Sequence, residues 1–287
     1  MRDNRIVHSP ATIKEACQIL ADRADAIKVI AGGTDLMVSM NARTLDAQEF
    51  LDIWRVDELR GITEDGPNVR IGALTTYTQL IRSPVIRQHV PALVAASRTI
   101  GALQIQNRDT IGGNIVNASP AGDSLPVLAV FDAEIELCSV RGSRRVPFDR
   151  FYEGYRRTVL QPDELVLAVN LPRLRSGERD FFYKVGTRRA QAISKVVIAA
   201  RARMVSDRIE SVRIGVGSVA PTVIRARATE ALLTGSSITK ALIEQASREI
   251  AREIAPITDL RSTEQYRRQV TSNLVARLLR QLAESSD

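Results

Sequence analysis

The chain has 287 residues, of which 44% are hydrophobic and 25% charged, and its formal net charge is +7. This composition is typical of a globular protein, and at about 150 residues per domain the length predicts two domains or one elaborated domain. Two cysteines and two histidines exclude a disulfide scaffold and a cysteine-held iron–sulfur cluster or structural zinc in this chain, and leave little for a serine–histidine triad.

Short strands and helices are predicted along the first half of the chain. Ser9 is the expected N-cap of the first helix and Pro10 its first residue, because the apolar positions 13, 16, 17 and 20 then form one stripe. That stripe makes Cys17 a core residue rather than a reactive thiol. Strands are expected at residues 28–31, 50–53, 69–72 and 134–140, and a helix at 84–97 that is kinked or restarted at Pro91.

The composition changes at residues 171–178, where turn residues and charges without periodicity indicate a linker. Strand-like runs follow at residues 181–186, 193–204 and 208–219, and then two helices at 239–254 and 263–283. We expect Ser262 and Gln265 to form a capping box on the last helix, and Tyr266 to begin its apolar stripe. Strands followed by helices predict a separate α+β domain of roughly 110 residues.

The net positive charge of the chain comes from its second part. From residue 171 onward there are 21 basic and 12 acidic residues, whereas residues 1–170 carry 19 basic and 21 acidic ones. A basic half is compatible with nucleic acid, a phosphate-bearing ligand or a partner protein. Aromatic residues make up only 4%, which disfavours single-stranded nucleic acid. No apolar run approaches the ~20 residues of a membrane helix and the N-terminus lacks the apolar segment of a signal peptide, so we expect a cytoplasmic protein.

Two glycine pairs are the first candidate binding segments. Gly32-Gly33 follows a predicted strand, and Gly112-Gly113 lies about 80 residues further on. Adjacent glycines allow the backbone to approach a ligand closely with its N–H groups directed at it. Two such loops, flanked by threonines and an asparagine, could hold the two halves of one pyrophosphate. The alternative is that each pair forms a tight turn between elements.

Other phosphate-binding motifs do not fit the chain. No Gly-Lys-Ser or Gly-Lys-Thr is present, which excludes a P-loop. Gly215 and Gly217 match a dinucleotide fingerprint, but Pro221 follows and the acidic residue expected about 20 positions on is absent. We interpret this segment as an antiparallel strand whose small residues permit close packing.

A dense basic segment, residues 184–195, begins the second predicted domain. Lys184, Arg188 and Arg189 could neutralise an anionic cofactor or bind carboxylates of a partner protein. A solvated surface is the alternative.

Three ordered motifs resemble those of a known family. They are residues 31–36 (AGGTDL), residues 110–114 (TIGGN) with Ser119, Pro120 and Asp123, and Lys184 followed by Arg188, Arg189, Ile193 and Ser194. Together they resemble the FAD-binding medium subunit of the molybdenum hydroxylases, the family of carbon monoxide dehydrogenase and the xanthine dehydrogenases. The resemblance covers nearly the whole chain.

The resemblance implies an α+β protein with an FAD-binding fold of the vanillyl-alcohol-oxidase (PCMH) type. Residues 1–175 would form the FAD-binding domain, with subdomains at about 1–55 and 56–175. Residues 176–287 would form a C-terminal α+β domain with an antiparallel sheet and helices, which closes over the flavin region.

The resemblance also implies which residues contact FAD. The diphosphate and ribityl chain would be lined by Val29, Ile30, Ala31, Gly32, Gly33, Thr34, Asp35, Leu36, Thr110, Ile111, Gly112, Gly113 and Asn114. Asp123 would contact polar groups of the cofactor, Lys184 would approach the isoalloxazine, and Ile100 would lie on the adenine side. Either Val159 or Leu160 would lie near the flavin ring. Because a carboxylate repels phosphate, we expect Asp35 to cap its own loop.

The function implied is electron transfer within a multi-subunit enzyme. A large subunit would carry the molybdenum-pterin cofactor and a small one two 2Fe–2S clusters, from which electrons reach this FAD and then an external acceptor. We expect a dimer of heterotrimers, a heterohexamer, in which this chain holds no catalytic or metal-binding residue of its own. A self-contained FAD-dependent oxidase or dehydrogenase and a cofactor-free scaffold protein of the same fold are the alternatives.

Overall fold

The computed structural model describes residues 5–188 and 191–284, and no helix in that part is long and apolar enough to cross a membrane. The strands are β1 (Ile6–His8), β2 (Ile27–Ile30), β3 (Glu49–Asp52), β4 (Ile62–Asp65), β5 (Asn68–Gly72), β6 (Glu134–Ser139), β7 (Gly142–Pro147), β8 (Tyr152–Gly154), β9 (Arg157–Thr158), β10 (Leu165–Pro172), β11 (Glu178–Val185), β12 (Val196–Val205), β13 (Arg208–Gly217) and β14 (Ile224–Arg225). The helices are α1 (Ile13–Arg23), α2 (Leu36–Asn41), α3 (Tyr77–Arg82), α4 (Pro84–His89), α5 (Pro91–Ser97), α6 (Leu103–Gln106), α7 (Ile111–Asn117), α8 (Leu125–Val130), α9 (Arg227–Leu233), α10 (Lys240–Glu253) and α11 (Glu264–Ala283).

The first sheet is parallel, with strand order β1-β3-β2, and α1 packs on it. The predicted stripe of α1 is confirmed, because Ala16, Cys17 and Leu20 are buried. The predicted N-cap is wrong. The hydroxyl of Thr12, not of Ser9, accepts the N–H of Glu15 at 3.2 Å, and the helix therefore begins three residues after Pro10.

The second sheet is antiparallel, with strand order β4-β5-β10-β6-β7, and encloses the largest apolar core together with helices α3–α8. The break at Pro91 is confirmed, since α4 and α5 are separate helices with Val90 between them. Cys138 on β6 meets Cys17 of α1, with 3.8 Å between the two Sγ atoms. Sequence periodicity missed α2, α3, α6, α7 and α8, which have only four to seven residues each.

The third sheet is antiparallel, with strand order β11-β12-β13-β14, and packs against α9, α10 and α11. Gly215 and Gly217 lie in β13 as an ordinary strand, which confirms that they form no dinucleotide fingerprint. A Cβ on Gly215 would come within 2.7 Å of the carbonyl oxygen of Pro126 in α8, so the small residue permits close packing between α8 and the third sheet.

The ends of the C-terminal elements differ from the prediction. β10 extends to Pro172, so the connection to β11 comprises only residues 173–177. The helix α9 was not predicted. No capping box forms at Ser262, because the hydroxyl of Thr263 caps α11 by accepting the N–H of Tyr266. The three sheets occupy successive stretches of chain, and the domain boundaries at residues 55 and 175 stay predictions.

Candidate functional site

The two glycine pairs line one cavity of about 240 Å³, here named the glycine cavity. All of residues 29–36 line it, together with Thr110, Gly112 and Gly113. β2 ends at Ile30 and delivers the first pair to the cavity as a loop. The second pair is not a loop, contrary to expectation. It forms the first turn of α7, where the hydroxyl of Thr110 accepts the N–H of Gly113 at 3.1 Å.

Packing requires the first glycine of each pair. A Cβ on Gly32 would lie 1.8 Å from the carbonyl oxygen of Arg108, and a Cβ on Gly112 would lie 2.7 Å from the Cβ of Ala73. Gly33 has a φ of +78°, which side-chain-bearing residues rarely adopt. These contacts bring two segments 80 residues apart to the same cavity wall.

A series of side-chain hydrogen bonds joins the two glycine segments. The carboxylate of Asp35 accepts a hydrogen bond from Asn117 Nδ2 at 2.7 Å, and Asn117 Oδ1 accepts one from Arg156 at 2.9 Å. Asp35 therefore does not cap its own loop, as had been expected. The amide offers a donor to its carboxylate, which makes Asp35 a link to α7 instead.

The wall of the glycine cavity is acidic. Its charged residues among those the structure describes are Asp35, Asp109 and Glu164, without a lysine or arginine. Glu164 is neutralised by two 2.7 Å hydrogen bonds from Arg144. Burial, reinforced by the nearby charge of Asp35, raises the pKa of Asp109 to about 7, although hydrogen bonding from Thr34 opposes the shift. Asp109 had not been predicted as a site residue; its position next to Thr110 was the available signal.

A second cavity of about 560 Å³, named the lysine cavity, adjoins the first and shares Asp35 and Asn117 with it. Its wall includes Lys184, Asp123 and Ile100. Lys184 Nζ forms a buried ion pair with Asp123 Oδ2 and donates a 3.0 Å hydrogen bond to the carbonyl oxygen of Thr99. This ion pair links β11 to the segment that precedes α8.

Burial and the neighbouring donors shift the pKa of Asp123 in opposite directions. Burial raises its pKa to about 6, even though the charge of Lys184 and hydrogen bonds from Lys184 and Thr99 favour the ionised form. Its second carboxylate oxygen, Oδ1, is buried and has no hydrogen-bond partner among the described residues. An unsatisfied buried acceptor indicates a site for a ligand donor.

The structure groups the remaining predicted site residues differently from the expectation. Ile100 lies in the lysine cavity beside Lys184, whereas Leu160 lies in the glycine cavity. Ile100 and Lys184 therefore line one cavity and Leu160 the other, and which end of FAD each of them contacts stays a prediction.

Two further predicted residues do not line either cavity. Val159 and Leu160 both pack against the apolar core, and of the two Leu160 lines the glycine cavity. Ile111 is fully buried within the core, on the side of α7 that faces away from the glycine cavity. Asn114 lines the lysine cavity rather than the glycine cavity.

Only part of the basic segment faces the site. Lys184, Ile193 and Ser194 line the lysine cavity, whereas Lys195 Nζ stacks over the ring of Tyr266, 4.9 Å from its centroid. Arg188 donates to the carbonyl oxygen of Gln191. Arg189 lies outside the described residues.

Arg267 on α11 was missed by sequence reasoning. The buried stripe of this helix continues back from Leu274 through Thr271 to Arg267, which is 3% exposed, and not to Tyr266, which is 43% exposed. The helical spacing of Arg267 from Leu274 could have indicated that the two residues share one face. The sequence alone does not indicate that an arginine at the end of an apolar stripe is buried.

FAD fits the described residues. The two cavities meet at Asp35 and Asn117, which forms an elongated site for an elongated dinucleotide. The backbone N–H groups of Gly33 and Thr34 have no hydrogen-bond partner within the described part of the chain, so they are available to a diphosphate. The unpaired Oδ1 of Asp123 matches a ligand N–H at the other end.

Comparisons with known proteins identify the family. Residues 2–174 match the FAD binding domain in molybdopterin dehydrogenase, and residues 181–282 match the CO dehydrogenase flavoprotein C-terminal domain. The chain is 34% identical to the putative xanthine dehydrogenase FAD-binding subunit XdhB of Escherichia coli K12, over 97% of this chain and 96% of that protein. It is 31% identical to the nicotine 6-hydroxylase medium subunit of Paenarthrobacter nicotinovorans, with 94% of each chain covered.

A solved structure supports the same assignment. The fold matches a chain of the carbon monoxide dehydrogenase from Hydrogenophaga pseudoflava that lacks the Mo-pyranopterin moiety of its molybdenum cofactor, with a TM-score of 0.92 and 31% identity. The match covers 96% of this chain and 95% of that one. The chain belongs to the family of FAD-binding medium subunits of molybdenum hydroxylases.

Proposed function

We propose that this chain is the FAD-carrying electron-transfer subunit of a multi-subunit molybdenum hydroxylase. It receives electrons from 2Fe–2S clusters of a partner subunit and passes them to an external acceptor. The observation that carries the proposal is the elongated site in which both glycine segments and the Lys184–Asp123 pair meet. FAD supplies reversible storage of one or two electrons when bound.

We infer an orientation of the cofactor from the residues that line the two cavities. The adenosine end would lie in the acidic glycine cavity, which Leu160 lines. The isoalloxazine end would lie in the larger lysine cavity with Ile100, Asp123 and Lys184. The N–H groups of Gly33 and Thr34 would stabilise the charge of the diphosphate without a lysine.

Lys184 and Asp123 would have different roles in the lysine cavity. Lys184 places a positive charge beside the flavin and so favours its anionic reduced form. Asp123 orients Lys184 through Oδ2, and its unpaired Oδ1 would accept a hydrogen bond from the cofactor. The cavity would exclude water from the bound flavin, which would strengthen these interactions.

The partners follow from what the chain cannot supply. Its two cysteines, Cys17 and Cys138, are buried against each other and are too few to hold an iron–sulfur cluster. We therefore assign the 2Fe–2S clusters to a small subunit and the molybdenum-pterin cofactor to a large one. We propose a cytoplasmic dimer of heterotrimers. Within this chain, residues 1–175 form the FAD domain with subdomains at about 1–55 and 56–175, and residues 176–287 form the closing domain.

The test uses the full chain, alone and with its partners. We expect the complex to contain one FAD per chain and to lose substrate-dependent reduction of that FAD when this chain is replaced by Lys184→Met. The chain alone should reoxidise after chemical reduction but reduce no organic substrate. Turnover of a small organic substrate by the chain alone would identify a self-contained oxidase, and a complex without FAD would identify a scaffold protein.

A further inference from the structure

Arg267 is a buried arginine whose guanidinium joins three separate segments at the lysine cavity. Its Nη1 donates to the carbonyl oxygens of Lys195 at 2.8 Å and Ser218 at 2.7 Å, and its Nη2 donates to Asp259 Oδ1 at 2.8 Å. The three acceptors belong to the start of β12, the end of β13 and the loop between α10 and α11. Only a planar guanidinium presents donors in a rigid fork of this kind.

The segments that Arg267 binds are themselves hydrogen-bonded to the FAD-domain wall of the lysine cavity. The hydroxyl of Ser194, next to Lys195, donates to the carbonyl oxygen of Ala121 at 3.1 Å and lies 2.9 Å from the hydroxyl of Ser218. Ala121 is two residues before Asp123. Arg267 is thereby connected through one buried hydrogen-bonded network to the segment that presents the unpaired Asp123 Oδ1.

The fork of Arg267 is not fully satisfied by the protein. Its Nε is buried and has no hydrogen-bond partner among the described residues, although Arg267 lines the lysine cavity. Burial of a charged group is favourable only when it is paired and hydrogen-bonded. The residue therefore retains one unused hydrogen-bond donor beside the cavity.

We propose that Arg267 is a positioning residue for the flavin end of the cofactor. It fixes the C-terminal wall of the lysine cavity against the Asp123 segment, so that both walls have one geometry before FAD binds. This inference rests on the proposed function, because it assigns a role within the same FAD site. A residue of α11, the last helix, thereby joins those that determine the affinity for FAD.

Arg268 offers a matched control on the same helix. Its guanidinium likewise bridges two carbonyl oxygens, of Ala251 at 2.5 Å and Ile254 at 2.8 Å, and pairs with Glu264. It differs in that it lines neither cavity. A lysine at either position keeps the charge and removes the fork.

The experiment compares Arg267→Lys and Arg268→Lys in the full chain after removal and re-addition of FAD. Unfolding of the apoprotein is recorded alongside the Kd for FAD and the visible circular dichroism of the bound flavin. We expect Arg267→Lys to raise the Kd at least about tenfold and to alter the flavin dichroism, and Arg268→Lys to leave both within about twofold. Equal Kd and dichroism in Arg267→Lys and the unaltered chain would overturn the proposal, as would equal losses in both variants.

A second variant covers the case in which Arg267→Lys does not fold. Ser194→Ala removes the hydroxyl that connects the two walls and leaves Arg267 in place; a raised Kd supports the network, and an unchanged Kd overturns it. Failure of the proposed function has a different signature: the unaltered chain would then bind no FAD, or would turn over an organic substrate without partners.

Discussion

Lys184 of β11 and Asp123, two residues before α8, form an ion pair in which the side chains are 10% and 6% exposed. The pair closes the lysine cavity between the FAD domain and the C-terminal sheet. A buried charge is stable only with its partner present, so each residue determines the state of the other. The electrostatics of the lysine cavity thus depend on two segments 61 residues apart.

The first prediction concerns the redox potential of the flavin. Lys184→Met should lower the flavin midpoint potential, because the positive charge that favours the anionic reduced form is lost while Asp123 keeps its negative charge. A shift of about 30 mV corresponds to a tenfold change for a two-electron couple. The measurement is a spectroelectrochemical titration of the FAD-loaded complex.

Its control is Lys195→Met, which removes a lysine whose side chain stacks on Tyr266 outside the cavity. The double variant Lys184→Met with Asp123→Asn should recover part of the shift, since the unpaired carboxylate is removed. An unchanged potential in Lys184→Met would contradict the assignment.

The second prediction is that FAD affinity decreases as pH rises through neutrality. Burial raises the pKa of Asp109 to about 7, so this carboxyl is largely neutral at pH 6 and ionised at pH 8. The ionised form repels the FAD diphosphate and the protonated form does not, so binding favours proton uptake. Affinity should fall by up to about tenfold per pH unit above 7, the limit for one linked proton.

Asp109→Asn tests this by holding the group neutral. The variant should bind FAD at pH 8 as tightly as the unaltered chain does at pH 6, in a fluorescence-quenching titration. Asp22→Asn, at an exposed position of α1, is the control and should keep the original pH profile. A flat profile in the unaltered chain between pH 6 and 8 would refute the role of Asp109.

The third prediction concerns the glycine at the first cavity wall. Gly32→Ala places a methyl group 1.8 Å from the carbonyl oxygen of Arg108, so one of the two backbone segments must move. We expect the free energy of unfolding to fall by about 1–3 kcal/mol, the usual cost of overpacking, and FAD occupancy to fall with it. Denaturant unfolding and the flavin-to-protein absorbance ratio measure the two effects.

Gly154→Ala is the matched control, because nothing lies within 4 Å of the added Cβ. It should change stability by no more than about 0.5 kcal/mol. Similar losses in the two variants would show that the effect is general to glycine replacement.

The fourth prediction is that the two thiols are inert in the native protein. Burial raises the pKa of Cys138 to about 12, reinforced by Cys17, and burial also raises the pKa of Cys17. Since the thiolate is the reactive form, an aromatic disulfide reagent at pH 8 should label neither thiol before unfolding and both in denaturant.

An introduced thiol provides the comparison. Val140→Cys, at a position 50% exposed beyond the end of β6, should label rapidly under the same conditions. Rapid reaction of the unaltered native chain would show that α1 opens away from β6.

Sequence periodicity predicted the longer elements well and the short ones poorly. The helices α1, α10 and α11 and the three C-terminal strands were found because each buries one face over many residues, although the α11 stripe was assigned to Tyr266 instead of Arg267. Helices of four to seven residues, such as α7, contain too few turns for a stripe. The helical start at Thr110 was therefore interpreted as a loop.

Pairing across long stretches of chain was not predictable. Asp35 was expected to interact within its own loop, but the amide of Asn117 provides a better-placed donor 82 residues away. For the same reason, it was not predictable that Ile100 shares a cavity with Lys184 while Leu160 lines the other one. Distances along the chain carry no information about which wall of a folded cavity a residue joins.

The sequence by itself determined the family, the cofactor and the glycine segments, because ordered motifs and small residues are local properties that survive without coordinates. Only the tertiary structure decided which residues face the two cavities, that burial raises the pKa of Asp109 to about 7, and that Arg267 joins three segments beside the lysine cavity. Burial and charge pairing produce those properties, and both arise only when segments distant in sequence pack together.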